Sequence, residues 1–288
     1  MHTLEFEAIG TAWSISTPEP LARADRAAMD SLIARYDLLY SRFRPDSLVA
    51  EMGRRAGTWE LPASAAGLLR LFDSLNRVTG GAVNPLVGRS LEVLGYDAGY
   101  SLKPSGPPLP AAGWANTVSW QEAGGRTLLT TSEPVVFDVG AAGKGQLVDL
   151  VCALLVEAGH NRYVVDAGSD VRHRGSPLRV ALEHPFDPTR AIGVLSLQDC
   201  SLCASAANRR SWGDGLHHVL DALTGMPVDS VAATWVRAGD TMTADGLATA
   251  LFFTDPQQLA GEFAFDYVRM FSDGRADYSN AMAGVLFP

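Results

Sequence analysis

The chain has 288 residues, of which 47% are hydrophobic and 19% are charged, and its formal net charge is −9. These proportions are typical of a globular protein with a real core and argue against a disordered chain. The acidic balance argues against a non-specific nucleic-acid surface, which needs clustered lysine and arginine. It is compatible with a nucleotide ligand, since one local lysine or a bound metal can outweigh it.

No run of residues approaches the length of about 18 apolar positions that a membrane span requires, so we expect no membrane insertion. The first ten residues include Glu5 and Glu7 and resemble neither a signal peptide nor a lipobox. Three cysteines, an odd count, suit a reducing compartment. We therefore expect a cytoplasmic protein. Cys200 and Cys203 have the spacing of a redox pair, but their apolar, strand-like surroundings favour buried structural thiols.

The N-terminal part alternates strand-like and helical patterns. Leu4–Ser16 is predicted as a strand interrupted by Gly10. Apolar residues at helical spacing predict one helix around residues 29–40 and a second around 68–75, which Gly80 and Gly81 end. Four prolines make Ser101–Ala112 an exposed connection.

Further along, the pattern predicts a helix over Gln146–Ala158 and a final helix that starts at Thr243 with that residue as its N-cap. Strands are predicted at Val135–Val139, Arg162–Val171, Leu178–Leu182, Ala191–Leu197 and Val231–Arg237. This order is not a strict βαβ alternation. It predicts an α+β fold of mixed, largely antiparallel sheets with packed helices.

Four segments carry side chains suited to chemistry, and Asp138–Asp149 is the first. It is predicted as a strand, a glycine-rich turn and a helix, whose free N–H groups and dipole would stabilise an anion. Lys144 would add a positive charge. It is not a P-loop, because Asp138 stands where a glycine is required and Gly145 follows the lysine. Glycines here could equally serve tight packing of the strand on the helix.

The second segment contains His217 and His218, which point to opposite sides of an extended chain, so that at most one faces a given site. A histidine exchanges protons near neutral pH, and a carboxylate such as Asp221 can fix its tautomer. Thr224 and Gly225 predict a turn just beyond. A histidine with a purely structural role remains the alternative.

In the third segment, Asp245 and Thr249 are four residues apart and share one helix face. A carboxylate and a hydroxyl so placed suit Mg²⁺, which takes few protein ligands. Alternatively, Asp245 only favours the positive end of the helix dipole. The fourth segment is Gly80–Gly88, where two glycines would let a planar ligand approach the backbone and Asn84 offers a donor and an acceptor.

Taken in order, these segments resemble the ApbE-type FAD:protein FMN transferases over nearly the whole chain. The matching stretches, with the family pattern after each, are Ile9–Thr11 (Met-Gly-Thr), Ser41–Ser47 (Ser-x-Tyr-x-x-x-Ser), Gly80–Pro85 (Gly-Gly-Ala-Phe-Asp-Pro), Asp138–Asp149 (Asp-x-Gly-Gly-x-x-Lys-Gly-x-x-x-Asp), Val165–Asp170 (strand ending Gly-Gly-Asp), Cys203–Arg210 (Ala-Thr-Ser), His218–Pro227 (His-x-x-Asp-Pro-x-Thr-Gly-x-Pro) and Ala244–Leu251 (Ala-Asp-x-x-x-Thr-x-Leu). The resemblance implies one ApbE-like domain over residues 1–288, which could consist of two intertwined subdomains with the site between them.

The resemblance also implies a reaction in which FAD is bound with Mg²⁺ and FMN passes to a threonine hydroxyl of an acceptor flavoprotein, releasing AMP. His218 would handle the proton. Mg²⁺ would be held by Asp245, Thr249 and the backbone carbonyl of Ala141. The residues that would contact the flavin or the nucleotide are Ile9, Phe43, Ala82, Val83, Asn84, Asp138, Lys144 and Val219.

This chain departs from the family pattern at several positions. Ile9 replaces methionine, Ser169 replaces the second glycine of Gly-Gly-Asp, and Ala204 replaces the threonine of Thr-Ser. Asn84 replaces an aspartate beside the expected flavin, which removes a negative charge. Ala222 replaces a proline, which removes a turn constraint beside His218. Two alternatives stay open. One is a hydrolase that splits FAD into FMN and AMP, since it would share the metal, the pyrophosphate and the leaving group; the other is a non-catalytic FAD-binding protein, which Asn84 and Ala222 make plausible.

Overall fold

The computed structural model describes residues 1–287. By its internal contacts the chain separates into two compact units. The first unit consists of Met1–Ile33, Ala142–Asn208 and Asp229–Pro288, and the second consists of Ala34–Ala141 and Arg209–Val228.

The secondary structure alternates between helices and short to medium strands along the chain. The helices are α1 (Arg23–Tyr40), α2 (Leu48–Met52), α3 (Ala65–Val78), α4 (Gly88–Val93), α5 (Trp114–Thr117), α6 (Gly143–Glu157), α7 (Thr241–Ala250) and α8 (Pro256–Ala260). The strands are β1 (His2–Ala8), β2 (Thr11–Thr17), β3 (Gly57–Pro62), β4 (Val118–Ala123), β5 (Arg126–Thr131), β6 (Tyr163–Asp166), β7 (Asp170–Arg174), β8 (Leu178–His184), β9 (Asp187–Leu197), β10 (Ser201–Ala206), β11 (Ser211–Trp212), β12 (Leu216–His217), β13 (Leu220–Asp221), β14 (Met226–Pro227), β15 (Val231–Ala238), β16 (Phe265–Phe271) and β17 (Ala276–Tyr278).

The first unit is built on an eight-stranded sheet in the order β1-β2-β6-β7-β10-β15-β16-β17. All of its pairings are antiparallel. Strand β15 is buried along almost its whole length, as expected for a central strand covered on both faces. The large antiparallel sheet and the packed helices agree with the predicted α+β class.

Alternate residues of β10 show what covers each face of this sheet. Leu202 packs into a cluster that includes Leu182 and Leu195 of the β8–β9 hairpin. The next residue, Cys203, faces the other way, and its Sγ lies 3.5 Å from the carbonyl oxygen of Thr241 at the start of α7. The two-residue period of a strand thus divides the core into a hairpin side and a helix side.

The cysteines are free thiols in this structure. Cys203 is completely buried, and burial raises the pKa of its thiol well above the ordinary value. Burial likewise raises the pKa of Cys152 to about 12. Of the pair predicted to be buried structural thiols, Cys203 is buried and Cys200 is half-buried.

The second unit contains a three-stranded antiparallel sheet in the order β3-β5-β4. Helix α3 buries Leu68, Phe72 and Leu75 on one face, which matches the helical spacing of its apolar residues. The ring of Phe72 meets that of Phe137 edge-on at 6.3 Å. The long connection predicted at Ser101–Ala112 is indeed without helix or strand.

Three predicted strands differ from the structure. Leu4–Ser16 is a hairpin, because β1 and β2 pair with each other across a two-residue turn. Arg162–Val171 is also two strands, β6 and β7, joined by a turn at residues 167–169. Val135–Val139 belongs to no strand: the backbone N–H of Asp138 donates to the carbonyl of Pro85 in a loop contact at 2.7 Å. Apolar runs therefore marked buried backbone, but they did not reveal its pairing.

Within residues 1–287, none of the helices combines the length and the apolar character needed to cross a lipid bilayer.

Candidate functional site

In the first unit, Ile9 lies at the tip of the β1–β2 hairpin. The pairing of Ala8 with Thr11 leaves Ile9 and Gly10 as the turn, with φ angles of +45° and +76°. Such a turn needs positive φ at both central residues, which glycine adopts freely and a β-branched isoleucine adopts only with strain. Ile9 is half-buried at this position.

Lys144, in the first turn of α6, has its ammonium group held by the β6–β7 turn. Its Nζ donates to Ser169 Oγ at 2.7 Å and forms an ion pair with Asp170, whose side chain is fully buried. Burial lowers the pKa of Lys144, but the charges of Asp170 and Asp245 outweigh that effect and raise the pKa above its ordinary value. The lysine is therefore cationic at neutral pH, as an anion-binding role requires.

Asp245 lies in α7 and is buried against the first turn of α6. Its Oδ2 accepts a hydrogen bond from the backbone N–H of Gly145 at 2.9 Å. Burial raises the pKa of the Asp245 carboxyl well above its usual range, and the charge of Asp170 raises it further. The two helices approach closely because Gly145 has no side chain: a Cβ there would lie 2.3 Å from the carbonyl oxygen of Thr241.

Helix α7 begins at Thr241, so the predicted start at Thr243 was wrong. The N-cap is Asp240, whose carboxylate accepts the backbone N–H of Thr243 at 2.8 Å. Asp149 of α6 accepts the N–H groups of Thr241 and Met242 as well. The first free N–H groups of α7 are thus satisfied by two carboxylates, one of them from a neighbouring helix.

Asp245 and Thr249 lie one turn apart in α7, as their spacing predicts, and Thr249 is half-buried. They place a carboxylate and a hydroxyl on one helix face. The neighbouring Asp170 repels Asp245, and a divalent cation would offset that repulsion. Among the described residues, no group of three or more His, Cys, Asp or Glu side chains is arranged to hold a metal ion by itself. The residues fit Mg²⁺, which needs few protein ligands and keeps waters or phosphate oxygens.

In the second unit, Phe43 belongs to an aromatic cluster. Its ring stacks on that of Tyr100 with centroids 5.0 Å apart and meets Tyr96 edge-on at 5.4 Å. The guanidinium carbon of Arg42 lies 4.2 Å from the centroid of the Phe43 ring. These contacts fix the orientation of Phe43.

Arg42 also holds Asp138, the first residue of the glycine-rich segment. The Arg42 Nε donates to Asp138 Oδ2 at 2.6 Å, and its Nη1 donates to the carbonyl oxygen of Tyr96 at 2.6 Å. The other carboxylate oxygen of Asp138 accepts the N–H of Gly140 at 2.7 Å. No role for Arg42 is evident from the sequence, where its only signal is its position next to Phe43. Its bonds make it the residue that orients Asp138.

The segment Ala82–Asn84 is buried, and its polar groups already have partners. Asn84 Oδ1 accepts the N–H of Leu86, and its Nδ2 donates to the carbonyl oxygen of Ala112, both at 2.9 Å. The carbonyl of Ala82 accepts the N–H of Ala222 at 3.1 Å, and the N–H of Val83 donates to Thr79 Oγ1 at 3.0 Å. Contact with a flavin remains a prediction for these three residues.

The two adjacent histidines have different environments. His217 is buried, its Nδ1 accepts the N–H of Val219 at 3.2 Å, and its Nε2 lies 2.9 Å from the carbonyl oxygen of Val228. His218 is half-buried, and its Nδ1 has no hydrogen-bond partner among the described residues. One carboxylate oxygen of Asp221 accepts the N–H of Leu223 at 2.8 Å, and the suggested role of Asp221 in fixing a histidine tautomer stays a prediction.

The pKa of His218 is lowered to about 4. Burial is the main cause, and the positive charge of Arg210 and the neighbouring His217 lower it further. The negative charge of Asp138 raises the pKa but offsets only part of this decrease. His218 is therefore neutral at neutral pH and able to accept a proton.

The predicted site residues are distributed over both units. The first unit contains Ile9, Lys144, Asp245 and Thr249, and the second contains Phe43, Ala82, Val83, Asn84, Asp138, Ala141, His218 and Val219. Within the first unit, Asp170 and the start of α6 bring Lys144 and Asp245 together. Within the second, Arg42 links Phe43 to Asp138. Ala141 is in the turn just before α6 and is half-buried.

Known proteins resemble this chain in sequence and in fold. The model of the ApbE family matches residues 9–264. Curated relatives named FAD:protein FMN transferase include those of Klebsiella pneumoniae, 25% identical with 88% of this chain and 79% of the relative covered, and Vibrio cholerae, 26% identical with 84% and 78% covered. Among solved structures, the ApbE protein of Thermotoga maritima superposes with a TM-score of 0.84 at 22% identity, covering 100% and 99% of the two chains. The flavin transferase ApbE of Vibrio cholerae gives 0.77 at 21%, covering 99% of each.

The fold and the site define a class of α+β proteins with an extended antiparallel sheet and a buried lysine–carboxylate cluster where two helices begin. The family model spans most of the sequence, and the solved ApbE structures share the fold. The chain belongs to the ApbE family.

Proposed function

We propose that this protein transfers FMN from FAD to a threonine hydroxyl of an acceptor flavoprotein, in a Mg²⁺-dependent reaction that releases AMP. The observation that carries the proposal is the family match over residues 9–264, joined to relatives named FAD:protein FMN transferase along 84–88% of the chain. The lysine–carboxylate cluster of the first unit supplies the local chemistry that such a reaction needs.

Asp245 and Thr249 are the side chains that would hold Mg²⁺, and the carbonyl of Ala141 is a further ligand that the family resemblance suggests. When bound, the metal would neutralise charge on the pyrophosphate oxygens of FAD. Lys144 adds a second positive charge at the start of α6, where the helix dipole also favours an anion. Charge neutralisation and positioning account for most of the catalysis in transfers of this type.

In the proposed reaction, the threonine oxygen forms a bond to the phosphorus of the FMN half of FAD. The bond from that phosphorus to the bridging oxygen breaks, and AMP leaves with the oxygen. The proton of the threonine hydroxyl passes to His218, which is neutral at pH 7 because burial lowers its pKa to about 4. A base of this strength accepts the proton as the new bond forms rather than beforehand.

The remaining flavin contacts follow from the family resemblance. Phe43 and Asp138 are held in place by Arg42, while Ile9 presents its side chain from a strained turn. Ala82, Val83, Asn84 and Val219 would contribute backbone or apolar contacts, since their polar groups largely bond within the protein.

A single assay tests the proposal. The protein is incubated with FAD, Mg²⁺ and an acceptor fragment carrying a candidate threonine, while AMP, FMN and the acceptor mass are followed. We expect an acceptor that gains the mass of FMN together with one AMP per adduct. Free FMN with AMP and no adduct would indicate a hydrolase, and intact FAD would indicate a binding protein, provided that a known transferase modifies the same acceptor in parallel.

Replacement of Asp245 by asparagine tests the metal assignment in the same assay. We expect turnover to fall at least 100-fold and the Mg²⁺-dependent rise in melting temperature to disappear, because the asparagine keeps the shape but removes the ligand charge. Asp273→Asn, which alters an exposed carboxylate in a turn, is the matched control and should change neither quantity. An Asp245→Asn protein with normal Mg²⁺ response would refute the assignment.

A further inference from the structure

Lys144 is one of only two lysines in the chain, the other being the exposed Lys103. An ammonium group has three N–H donors. Ser169 Oγ accepts one of them at 2.7 Å and the buried carboxylate of Asp170 pairs with a second, which leaves one donor for a ligand. The Lys144 side chain as a whole is 18% exposed.

The backbone around Ser169 is held independently of its side chain. Gly168 has a φ of +81° and donates its N–H to Asp166 Oδ1 at 2.8 Å. The N–H of Ser169 donates to the carbonyl of Ala167 at 3.1 Å, and its own carbonyl accepts the N–H of Ala204 at 2.8 Å. A glycine could make all of these bonds at this position. What the serine adds is the hydroxyl, which accepts from Lys144 Nζ at 2.7 Å and donates to Asp170 Oδ1 at 3.4 Å.

The hydroxyl has a clear physical effect on the lysine. A single ion pair to Asp170 would allow the flexible lysine stem to swing about that carboxylate. A second acceptor restricts the ammonium group to one position and directs its third N–H. The motif Gly-Gly-Asp that this segment resembles has no such hydroxyl, so this second anchor is a feature of the present chain.

We propose that Ser169 is a positioning residue that holds the Lys144 ammonium group for capture of a pyrophosphate-bearing ligand. The proposal rests on the proposed function, in which that ligand is FAD. Removing the hydroxyl should weaken ligand capture about three- to tenfold, the usual net contribution of one hydrogen bond.

The first test measures the lysine itself and does not depend on enzymatic activity. The folded protein is acetylated with a limiting amine-reactive ester, and the modification of Lys144 relative to Lys103 is quantified by peptide mass spectrometry. We expect Ser169→Ala to raise this ratio at least threefold, because a less restricted ammonium group reacts faster. Ser169→Thr, which keeps a hydroxyl, should restore the wild-type ratio. Ser176→Ala, at the other end of β7, is the matched control and should leave it unchanged.

The second test uses inorganic pyrophosphate and FAD as separate protecting ligands. Both should protect Lys144 and not Lys103 in the wild-type protein, and Ser169→Ala should need about three to ten times more of either for half-protection. In the transferase assay, the same variant should raise KM for FAD with little change in kcat. A destabilised protein would instead lose kcat and melt earlier.

The outcomes separate the two proposals. An unchanged Lys144:Lys103 ratio and unchanged half-protection in Ser169→Ala would overturn the role of Ser169. If the labelling changes as expected and pyrophosphate protects, but FMN is never transferred, the positioning role stands and the proposed function fails. If neither pyrophosphate nor FAD protected Lys144 from acetylation, the role of Ser169 in ligand capture would be overturned.

Discussion

At the scale of single residues, two departures from the family pattern have a structural explanation. Asn84 donates through Nδ2 to the carbonyl of Ala112, which an aspartate could not do when ionised. Ala222 donates its backbone N–H to the carbonyl of Ala82, which a proline could not do. Ala222 therefore does not simply release a turn constraint. It replaces that constraint with a hydrogen bond to the neighbouring segment.

Ile9 gives a prediction at this scale. A residue with positive φ costs about 1 kcal/mol when it is β-branched, and asparagine tolerates this region well. Ile9→Asn should therefore raise the free energy of unfolding by about 1 kcal/mol, while FAD binding weakens several-fold if the side chain contacts the flavin. Urea unfolding and FAD titration measure the two effects.

The control for Ile9 is Ile9→Val, which keeps the β-branched strain and most of the apolar surface and should leave both quantities almost unchanged. A loss of stability in Ile9→Asn would contradict the strained turn, and unaltered FAD affinity would contradict the contact.

At the scale of elements, α6 and α7 begin side by side and support each other. Asp149 of α6 binds the first N–H groups of α7, and Asp245 of α7 binds the N–H of Gly145 in α6. Reciprocal capping places the charged side chains of both helix starts together, and the absence of a side chain at Gly145 permits the close approach.

Gly145→Ala tests this packing. The new Cβ would lie 2.3 Å from the Thr241 carbonyl oxygen and 2.8 Å from the Asp245 Cβ, so one helix must shift, at a cost of about 3 kcal/mol in the free energy of unfolding. Mg²⁺ binding, followed by calorimetry, should weaken as Asp245 moves. Gly239→Ala, where nothing lies within 4 Å of the new Cβ, should be neutral. Equal stability of the two variants would show that the helices tolerate the methyl group.

At the scale of the whole molecule, the predicted site residues come from six separated stretches of sequence and lie in both units. The first unit contains the charged cluster of α6, α7 and the β6–β7 turn, and the second contains the aromatic cluster and His218. A buried group whose pKa is shifted makes the free energy of unfolding of the whole chain depend on pH, and this dependence can be measured.

His218 should make stability depend on pH. Its pKa is about 4 in the folded protein and about 6.5 in the unfolded chain, so between these values the unfolded chain binds more protons. The free energy of unfolding should therefore fall as pH drops from 6.5 to 4, by at most about 3 kcal/mol from this residue. Urea unfolding of the wild type and of His218→Gln at pH 7.5 and pH 5 measures the difference.

The comparison with His218→Gln removes the contributions of other groups, including His173, whose pKa burial also lowers. The stability gap between pH 7.5 and pH 5 should be smaller in the variant. An identical gap in both proteins would mean that His218 is solvated and titrates normally.

Much of this molecule could be predicted from its sequence. The α+β class, the helices around residues 29–40, 68–75 and 146–158, and the placement of Asp245 and Thr249 on one helix face follow from local periodicity, because a helix or strand repeats at a fixed interval along the chain. The family resemblance also rested on short local motifs, which are visible without coordinates, and the family match confirmed it.

Contacts between distant stretches were decided by the tertiary structure alone. Four contacts join residues that no sequence period relates. They are the pairing of β6 with β7, the cap that Asp149 provides for α7, the ion pair of Arg42 with Asp138 and the hydrogen bond from Lys144 to Ser169. The lowered pKa of His218 likewise depends on burial and on neighbours such as Arg210. Local pattern determines which residues can form an element, whereas desolvation, ion pairing and close packing depend on which elements meet.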